Sequence, residues 1–204
     1  MFTATDKLAV RQLMSQRRLS LSPQEHLAAS ERICDTLHSL LRPYSTVALY
    51  VPLPGEVDIW PLAEHLMATG VELYLPRMLQ KGLLDFARHL PGEVLDTVKF
   101  GVKQPRSSSP AILPRDLGVV VVPGLAFGRD GHRIGHGAGW YDRGLRVYLD
   151  HTHRVGVAYQ FQVWDSLPSD PWDIPMDQVV TEVQVIRTSS GRSALSHRSI
   201  DGGE

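Results

Sequence analysis

The run GVVVVP at residues 118–123 is apolar at every position between its glycine and its proline. A strand that is apolar on both faces requires cover on both sides of its sheet, which is typical of parallel sheets. Three more runs rich in apolar and β-branched residues lie at TVALYV (46–51), VELYLP (71–76) and RVGVAY (154–159). Because helix-periodic segments alternate with these runs, we predict an α/β fold. It is a three-layer α/β/α arrangement around a mainly parallel central sheet, in a Rossmann-like single domain.

The segments between these strands have the apolar spacing of amphipathic helices. They cover about residues 4–18, 23–41, 58–68 and 140–150. Ser22 followed by Pro23 and Glu25 is a typical helix start, and Asp58 is a candidate cap for the third helix. Further strands are predicted at 83–89 and as a pair within 178–187, and residues 90–116 are predicted to be mostly loop. We expect the folded domain to span residues 1–188 and residues 189–204 to form a disordered tail.

Composition narrows the class of protein. A chain of 204 residues with one cysteine, Cys34, suits one domain without an intramolecular disulfide. The net charge of −1 gives no reason to expect a nucleic-acid partner. No run approaches the roughly 20 apolar residues of a membrane span, and the N-terminus lacks a secretion signal. A mitochondrial presequence is a minor alternative to a structural first helix. We expect a cytoplasmic monomer that binds neither nucleic acid nor membrane.

The segment GHRIGHGAGWYDR at 131–143 is glycine-rich and lies just before the predicted fourth helix. Its bare backbone suits close approach to phosphate oxygens, and a helix N-terminus offers N–H groups to them. The segment lacks the lysine and hydroxyl of a P-loop, and Trp140 breaks the dinucleotide-binding spacing. The glycine pattern by itself therefore leaves a structural turn and a phosphate site equally open.

Charged residues around the glycines favour the phosphate site. Arg133 and His136 supply positive charge or hydrogen bonds, and Asp142 supplies a hard oxygen. Magnesium prefers one or two carboxylates together with water and substrate phosphates, so Asp142 suits a magnesium ligand. The ordinary alternative is an acid in the first turn of a helix, where the helix dipole favours negative charge.

Two other regions carry candidate ligand contacts. Lys7 and Arg11 are four residues apart, on one face of the first helix. Such a pair is more often a solvated surface than a phosphate contact, and both interpretations remain open. Glu56 and Arg77 follow predicted strands, as the glycine segment does, and ligands of parallel sheets bind at the carboxyl ends of the strands. We therefore expect these three features to converge on one crevice.

In order along the chain, these residues resemble the 5-formyltetrahydrofolate cyclo-ligase family, also called methenyltetrahydrofolate synthetase. The resemblance covers about residues 5–187. It rests on K-x-x-x-R at Lys7 and Arg11, YVPLPGEVD (50–58), LPR (75–77), GVKQP (101–105), VPGLAFGRDGHRIGHGAGWYDR (122–143) and DPWDIPMDQVVTE (170–182). The long glycine-containing motif is the specific one.

The resemblance implies an enzyme that uses ATP and Mg²⁺ to convert 5-formyltetrahydrofolate to 5,10-methenyltetrahydrofolate, releasing ADP and phosphate. Arg133 and Asp142 would be the catalytic residues, and Asp142 with Asp173 would hold the metal. Asp170 and Asp177 lie close enough in sequence to Asp173 to remain alternatives. ATP would contact Lys7, Arg11, Arg133, Ile134, Gly135, His136, Gly137, Ala138, Gly139, Trp140 and Tyr141. The folate would contact Val51, Glu56, His136, Gly137, Ala138, Gly139 and Trp140.

The chain departs from the family pattern at four positions of the long motif. Gly128 stands where the family usually has Asp, and Trp140 replaces a Tyr. His136 and Ala138 occupy variable places. Two alternatives to the cyclo-ligase therefore stay open: a folate- or nucleotide-binding protein without turnover, and another small-metabolite kinase that uses the same phosphate crevice.

Overall fold

A computed structural model describes residues 6–189 of the chain. The helices are α1 (Lys7–Leu19), α2 (Pro23–Leu41), α3 (Trp60–Ala68) and α4 (Trp140–Leu145). The strands are β1 (Thr46–Ala48), β2 (Glu72–Met78), β3 (Leu84–Arg88), β4 (Asp96–Thr97), β5 (Lys103–Gln104), β6 (Val119–Pro123), β7 (Ala126–Gly128), β8 (Arg133–Ile134), β9 (His153–Val157), β10 (Val163–Trp164), β11 (Gln178–Val180) and β12 (Val185–Arg187). Among these described helices, none is long and apolar enough to cross a bilayer. The predicted tail lies outside the described residues from residue 190 onward.

The main sheet has the order β12-β11-β9-β6-β1-β2-β3. Its five central strands run parallel, and β3 and β12 pair antiparallel at the two edges. The prediction of a mainly parallel sheet is confirmed. The two edge strands are antiparallel because each is joined to its neighbour by a short turn, which cannot make a parallel crossover.

Strand β6 separates the two apolar layers that the sequence predicts. Val119 and Val121 pack with α2 and α3, whereas Val120 and Val122 pack with α4 and Phe86 on the opposite face. All four valines are fully buried, and each such side chain contributes about 1.5–3 kcal/mol relative to exposure. The continuous valine run therefore marks the centre of a three-layer α/β/α domain.

The helix bounds predicted from capping residues and apolar spacing match the structure for α2 but not for α3 and α4. Ser22 caps α2 in a reciprocal box with Glu25, as predicted. The third helix starts at Trp60, two residues later than predicted: Asp58 accepts a hydrogen bond from the Trp60 N–H but the capping position belongs to Ile59. The predicted helix over 140–150 is also too long, because α4 ends at Leu145 and tightens into a 3₁₀ turn over Arg146–Tyr148.

A second sheet was not predicted. Strands β10, β7 and β8 form it, and α1 packs on it through Val10 and Met14. The apolar run that begins at β6 breaks at Gly124, where a Cβ atom would lie 2.7 Å from the Phe127 ring. The β7–β8 hairpin thus lies between β6 and α4, and its second strand is part of the 131–143 segment. Residues 90–116 are mostly loop, as predicted, apart from the short β4–β5 hairpin and two 3₁₀ turns.

Candidate active site

The glycines of the 131–143 segment make room for arginine side chains. A Cβ atom on Gly135 would lie 2.8 Å from Arg133 Nη1, and one on Gly139 would lie 2.8 Å from Arg143 Nη1. Gly137 and Gly139 also have φ values of 103° and 66°, which L side chains rarely adopt. The glycines thus permit both a bare backbone and close packing of two guanidinium groups against it.

Arg133 and Asp142 form an ion pair below this backbone. Arg133 Nη2 donates to Asp142 Oδ1 over 2.9 Å, and only 4 % of the Arg133 side chain is exposed. The same oxygen accepts the Ile174 N–H at 3.3 Å, whereas no donor within residues 6–189 reaches Asp142 Oδ2. A buried arginine holds its partner firmly, so one carboxylate oxygen is fixed and the other is available to a ligand.

Helix α1 places two basic side chains, Lys7 and Arg11, beside the glycine segment. Lys7 Nζ lies 2.6 Å from both Asp170 Oδ2 and Asp173 Oδ2, and Arg11 Nε donates to the Gly135 carbonyl at 2.9 Å. Both basic side chains are half-buried, so they are not a solvated surface pair. Lys7 and Arg11 therefore connect the start of the chain to the glycine segment and to the acidic loop near its end.

These contacts perturb the charges of the Lys7–Asp173 pair. Burial acts to lower the pKa of Lys7, but hydrogen bonds and charge from Asp170 and Asp173 outweigh it and raise that pKa. Burial acts to raise the pKa of Asp173, but hydrogen bonds from Lys7 and the Asp170 N–H, with the positive charge of Arg133, outweigh it and lower that pKa. Both groups are therefore ionised throughout the neutral range.

Hard oxygens for a divalent cation are available beside this cluster. The Asp142 carboxylate accepts a hydrogen bond from the N–H of Ile174, the residue that follows Asp173, so the segment that carries Asp173 lies against Asp142. Asp173 Oδ1, like Asp142 Oδ2, receives no hydrogen bond from the part of the chain that the structure describes. No group of three or more His, Cys, Asp or Glu in that part could hold an ion alone. The donor set therefore suits Mg²⁺ with substrate phosphates and not a full protein cage.

Two residues near these carboxylates have other roles. Asp177 is buried and makes a two-pronged ion pair with Arg154, so Asp177 is a structural acid and is wrong as a metal alternative. Arg77 lies within β2 and not after it; it bonds to Asp85 and to the carbonyls of residues 106, 107 and 109. The expected convergence of Arg77 on the crevice is therefore wrong, because its donors are used to hold the 105–110 loop.

Glu56 follows β1 in the turn after residue 51, where its carboxylate is 4 % exposed. Oε2 accepts the Leu53 N–H at 3.0 Å, and Oε1 lies 3.7 Å from Arg18 Nη1 and 3.4 Å from His136 Nε2. The contact with His136 joins Glu56 to the glycine segment, as the prediction of a shared crevice required. A buried carboxylate between two basic side chains can still accept hydrogen bonds from the N–H groups of a ligand.

Arg18 was missed by the sequence analysis. It is 5 % exposed and reaches both Glu56 and the Gly124 carbonyl. A signal for it was present: Lys7, Arg11 and Arg18 fall on one face of α1, with Met14 between them, at the spacing of four, three and four residues. That face combines cations with one core residue, which is unusual for a solvated surface.

A cleft of about 830 Å³ opens beside Glu56. Its walls come from α2, the turn after β1, the start of α3, and the β4–β5 hairpin with the loop before it. The lining includes His26, Val51, Pro52, Leu53, Glu56, Trp60, Leu95, Thr97 and Lys103. Leu95 and Lys103 were not predicted, because the 90–104 segment has no periodic pattern that would place it over the turn. Trp60, at the start of α3, was not predicted as part of a cleft either.

The remaining candidates are placed as follows. Ile134 is 1 % exposed and packs in the core under α1, so it offers a ligand its backbone alone. Residues 136–138 are exposed, and Trp140 and Tyr141 are half-buried. Burial raises the pKa of Tyr141, and the charge of Glu56 adds to the rise, so its phenol stays protonated. The loop thus presents backbone, one histidine and two aromatic rings along the crevice.

Taken together, these side chains form one contact network. It runs from Asp173 and Lys7 through Arg11, the glycine segment and Arg133 to Asp142, and through His136 to Glu56. Fixed cations beside carboxylates with free oxygens suit a polyphosphate with a hard divalent metal. The mixed polar and apolar cleft beside Glu56 suits a flat heterocycle that donates hydrogen bonds.

Comparisons with known proteins find a matching family and similar structures. The model of the 5-formyltetrahydrofolate cyclo-ligase family matches residues 3–182. The 5-formyltetrahydrofolate cyclo-ligase of Escherichia coli K12 is 31 % identical over 179 residues, which cover 85 % of this chain and 98 % of that protein. The 5,10-methenyltetrahydrofolate synthetase of Aquifex aeolicus has a similar structure, with a TM-score of 0.80 and 37 % identity over 94 % of this chain and 97 % of that one. The synthetase from Mycoplasma pneumoniae gives a TM-score of 0.72 at 26 % identity, covering 87 % and 99 %.

Proposed function

The chain belongs to the 5-formyltetrahydrofolate cyclo-ligase family, and we propose that it converts 5-formyltetrahydrofolate and ATP to 5,10-methenyltetrahydrofolate, ADP and phosphate. The observation that carries the proposal is the single contact network that joins a phosphate-suited charge cluster to the Glu56 cleft. The proposal includes action as a cytoplasmic monomer on these small molecules.

Arg133, Lys7 and Arg11 would neutralise and orient the phosphates of ATP. Arg133 is the most constrained of the three, because it is buried and paired with Asp142. A cation fixed before the reaction stabilises developing phosphate charge without reorganisation. Asp142 and Asp173 would hold Mg²⁺, which supplies further charge neutralisation on the phosphates when it is bound.

Glu56 would accept N–H groups of the pterin ring, and Val51 with Trp140 would give the ring apolar contact. The Glu56 carboxylate is already oriented by Leu53 and Arg18, so binding the folate requires little rearrangement of protein. Holding the formyl group and the γ-phosphate in line is then the main catalytic contribution, as in other phosphoryl transfers.

The chemistry balances in two steps. The formyl oxygen attacks the γ-phosphorus, the bond from that phosphorus to the β-γ bridging oxygen breaks, and ADP leaves. The N10 lone pair then attacks the formyl carbon, the carbon–oxygen bond breaks, and phosphate leaves with the formyl oxygen while N10 gives its proton to solvent. Phosphate leaves because it is a far weaker base than oxide.

The direct test uses 5-formyltetrahydrofolate labelled with ¹⁸O in the formyl group, together with ATP and Mg²⁺. We expect methenyltetrahydrofolate absorbance, one ADP per product, and ¹⁸O in the released phosphate by mass spectrometry. Folate binding in calorimetry without ADP release would instead indicate a binding protein. ATP-dependent phosphorylation of another metabolite, with no cyclised folate, would indicate a kinase. Either of these results would overturn the proposal.

A further inference from the structure

His38 and His65 meet on the surface far along the helices from the candidate active site. His38 lies in the last turn of α2, and His65 lies in the last turn of α3. Their Nε2 atoms are 3.0 Å apart, and their ring centroids are 4.6 Å apart at an interplanar angle of 81°. His65 is exposed and His38 is partly exposed, so an ion can reach the pair from solvent.

The spacing of the two nitrogens suits a shared metal ion. With metal–nitrogen bonds of about 2.0–2.1 Å, a separation of 3.0 Å gives an angle at the metal of roughly 95°. That angle lies between the square-planar and the tetrahedral values. The ring centroids are closer together than they would be if both rings lay along the line that joins the two Nε2 atoms. At least one ring is therefore tilted off that line, as both rings are when two imidazoles bind the same ion.

The electrostatics of the place favour a cation independently of the ring geometry. Both histidines lie at helix C-termini, where the helix dipole concentrates negative charge. When one imidazole donates to the other, the acceptor ring must be neutral, so the hydrogen-bonded pair carries at most one positive charge. A divalent ion in the place of the bridging proton brings two positive charges to the two helix ends.

We propose that His38 and His65 form a binding site for a borderline divalent metal such as Zn²⁺, Ni²⁺ or Cu²⁺, with water completing the coordination. Imidazole selects these ions over Mg²⁺, so the site is distinct in chemistry from the carboxylates near Asp142. Bound metal cross-links the C-terminal ends of α2 and α3. The N-terminal parts of these helices carry His26 and Trp60 of the cleft wall, so the cross-link stabilises the scaffold of that wall.

The test is metal titration of the full chain by calorimetry and thermal unfolding, with Zn²⁺ and Ni²⁺ as probes. For the wild type we expect one site whose loss is measurable in both His38→Gln and His65→Gln. At a metal concentration a hundred times the dissociation constant, the melting temperature should rise by about 5 °C. The matched control is His151→Gln, which removes an exposed histidine from another surface and should keep the full shift.

Two results would overturn the proposal. One is a wild-type protein that shows no site for either metal. The other is a shift that survives in both His38→Gln and His65→Gln, which would assign the metal to other ligands. Folding is checked without metal by the melting temperature of each variant. Turnover in Mg²⁺ should stay at the wild-type rate in both variants, which separates this site from the proposed active site.

Discussion

The two halves of the candidate active site are built in opposite ways. The phosphate side, defined here as Lys7, Arg11, Arg133, Asp142 and Asp173, consists of charges from three distant segments that neutralise one another. The folate side, defined as Val51, Glu56 and the adjoining cleft, has one buried carboxylate beside an open space of about 830 Å³. On the phosphate side several ion pairs share the charge, whereas on the folate side Glu56 is, within residues 6–189, the one carboxylate that is buried beside the glycine segment.

This difference predicts which properties change when a residue of each half is substituted. On the phosphate side, removing one charge leaves an oppositely charged partner without compensation, so effects on rate and on stability arise together. On the folate side, the carboxylate depends on a few neighbours for its position, so their loss should weaken binding of one substrate and leave the other unaffected.

Asp142→Asn should give the largest effect. The amide keeps the shape and can still accept from Arg133, but it removes the negative charge that would hold Mg²⁺. We expect turnover to fall by about 10³-fold. Steady-state assays with both substrates near saturation measure this, at a temperature below the melting point because the buried Arg133 loses its ionic partner. A variant with near-normal turnover would remove Asp142 from the metal site.

Arg18→Met should separate the two sides. At 3.7 Å the pair is too long for a hydrogen bond, but removing the charge of Arg18 leaves the buried Glu56 without that compensating cation, so the KM for folate should rise roughly 10- to 100-fold. The KM for ATP should stay within a few-fold of wild type. Arg18→Lys retains the charge and should recover part of the folate affinity, which a loss of packing alone would not explain. Equal weakening of both substrates would contradict the division into two sides.

The contrast between the halves also explains what the sequence could predict. The parallel sheet follows from the valine run at 119–122, because a strand apolar on both faces has few alternatives. The family motifs supply the phosphate-side residues, but the pairing of Lys7 with Asp170 and Asp173 joins positions more than 160 residues apart and follows from the fold. No local pattern encodes such a contact.

Other features were less predictable, including part of the folate side. The β7–β8 hairpin was hidden because its strands are two to three residues long and continue the apolar run of β6. The cleft wall at Leu95 and Lys103 comes from an aperiodic segment whose position depends on tertiary contacts. Arg18 had a usable signal in its helical face, whereas Arg77 was misplaced because a strand end was set two residues too early.

Asp173→Asn tests whether phosphate-side charges also stabilise the fold. The pKa of Asp173 is lowered, so its stabilisation is present above the ordinary value of 3.8 and is lost as pH falls through the folded value. The pKa of Lys7 is raised, so its stabilisation is complete below 10.5 and is lost as pH rises through the folded value. Chemical denaturation at pH 7 should show a loss of about 1 kcal/mol, shrinking toward pH 3. A pH-independent difference would mean that packing, not charge, sets the effect.

His136→Ala should give the smallest effect, although His136 links the two halves. The imidazole is half exposed and lies 3.4 Å from Glu56, so solvent screens the contact and it is worth at most about 1 kcal/mol. We expect the KM for folate to rise no more than about fivefold, with the melting temperature unchanged. His136→Gln retains a hydrogen-bond donor, so its KM for folate should lie between the values of the wild type and of His136→Ala. A loss as large as that of Arg18→Met would mean that Glu56 is positioned from the glycine segment, and the two halves would then act as one unit.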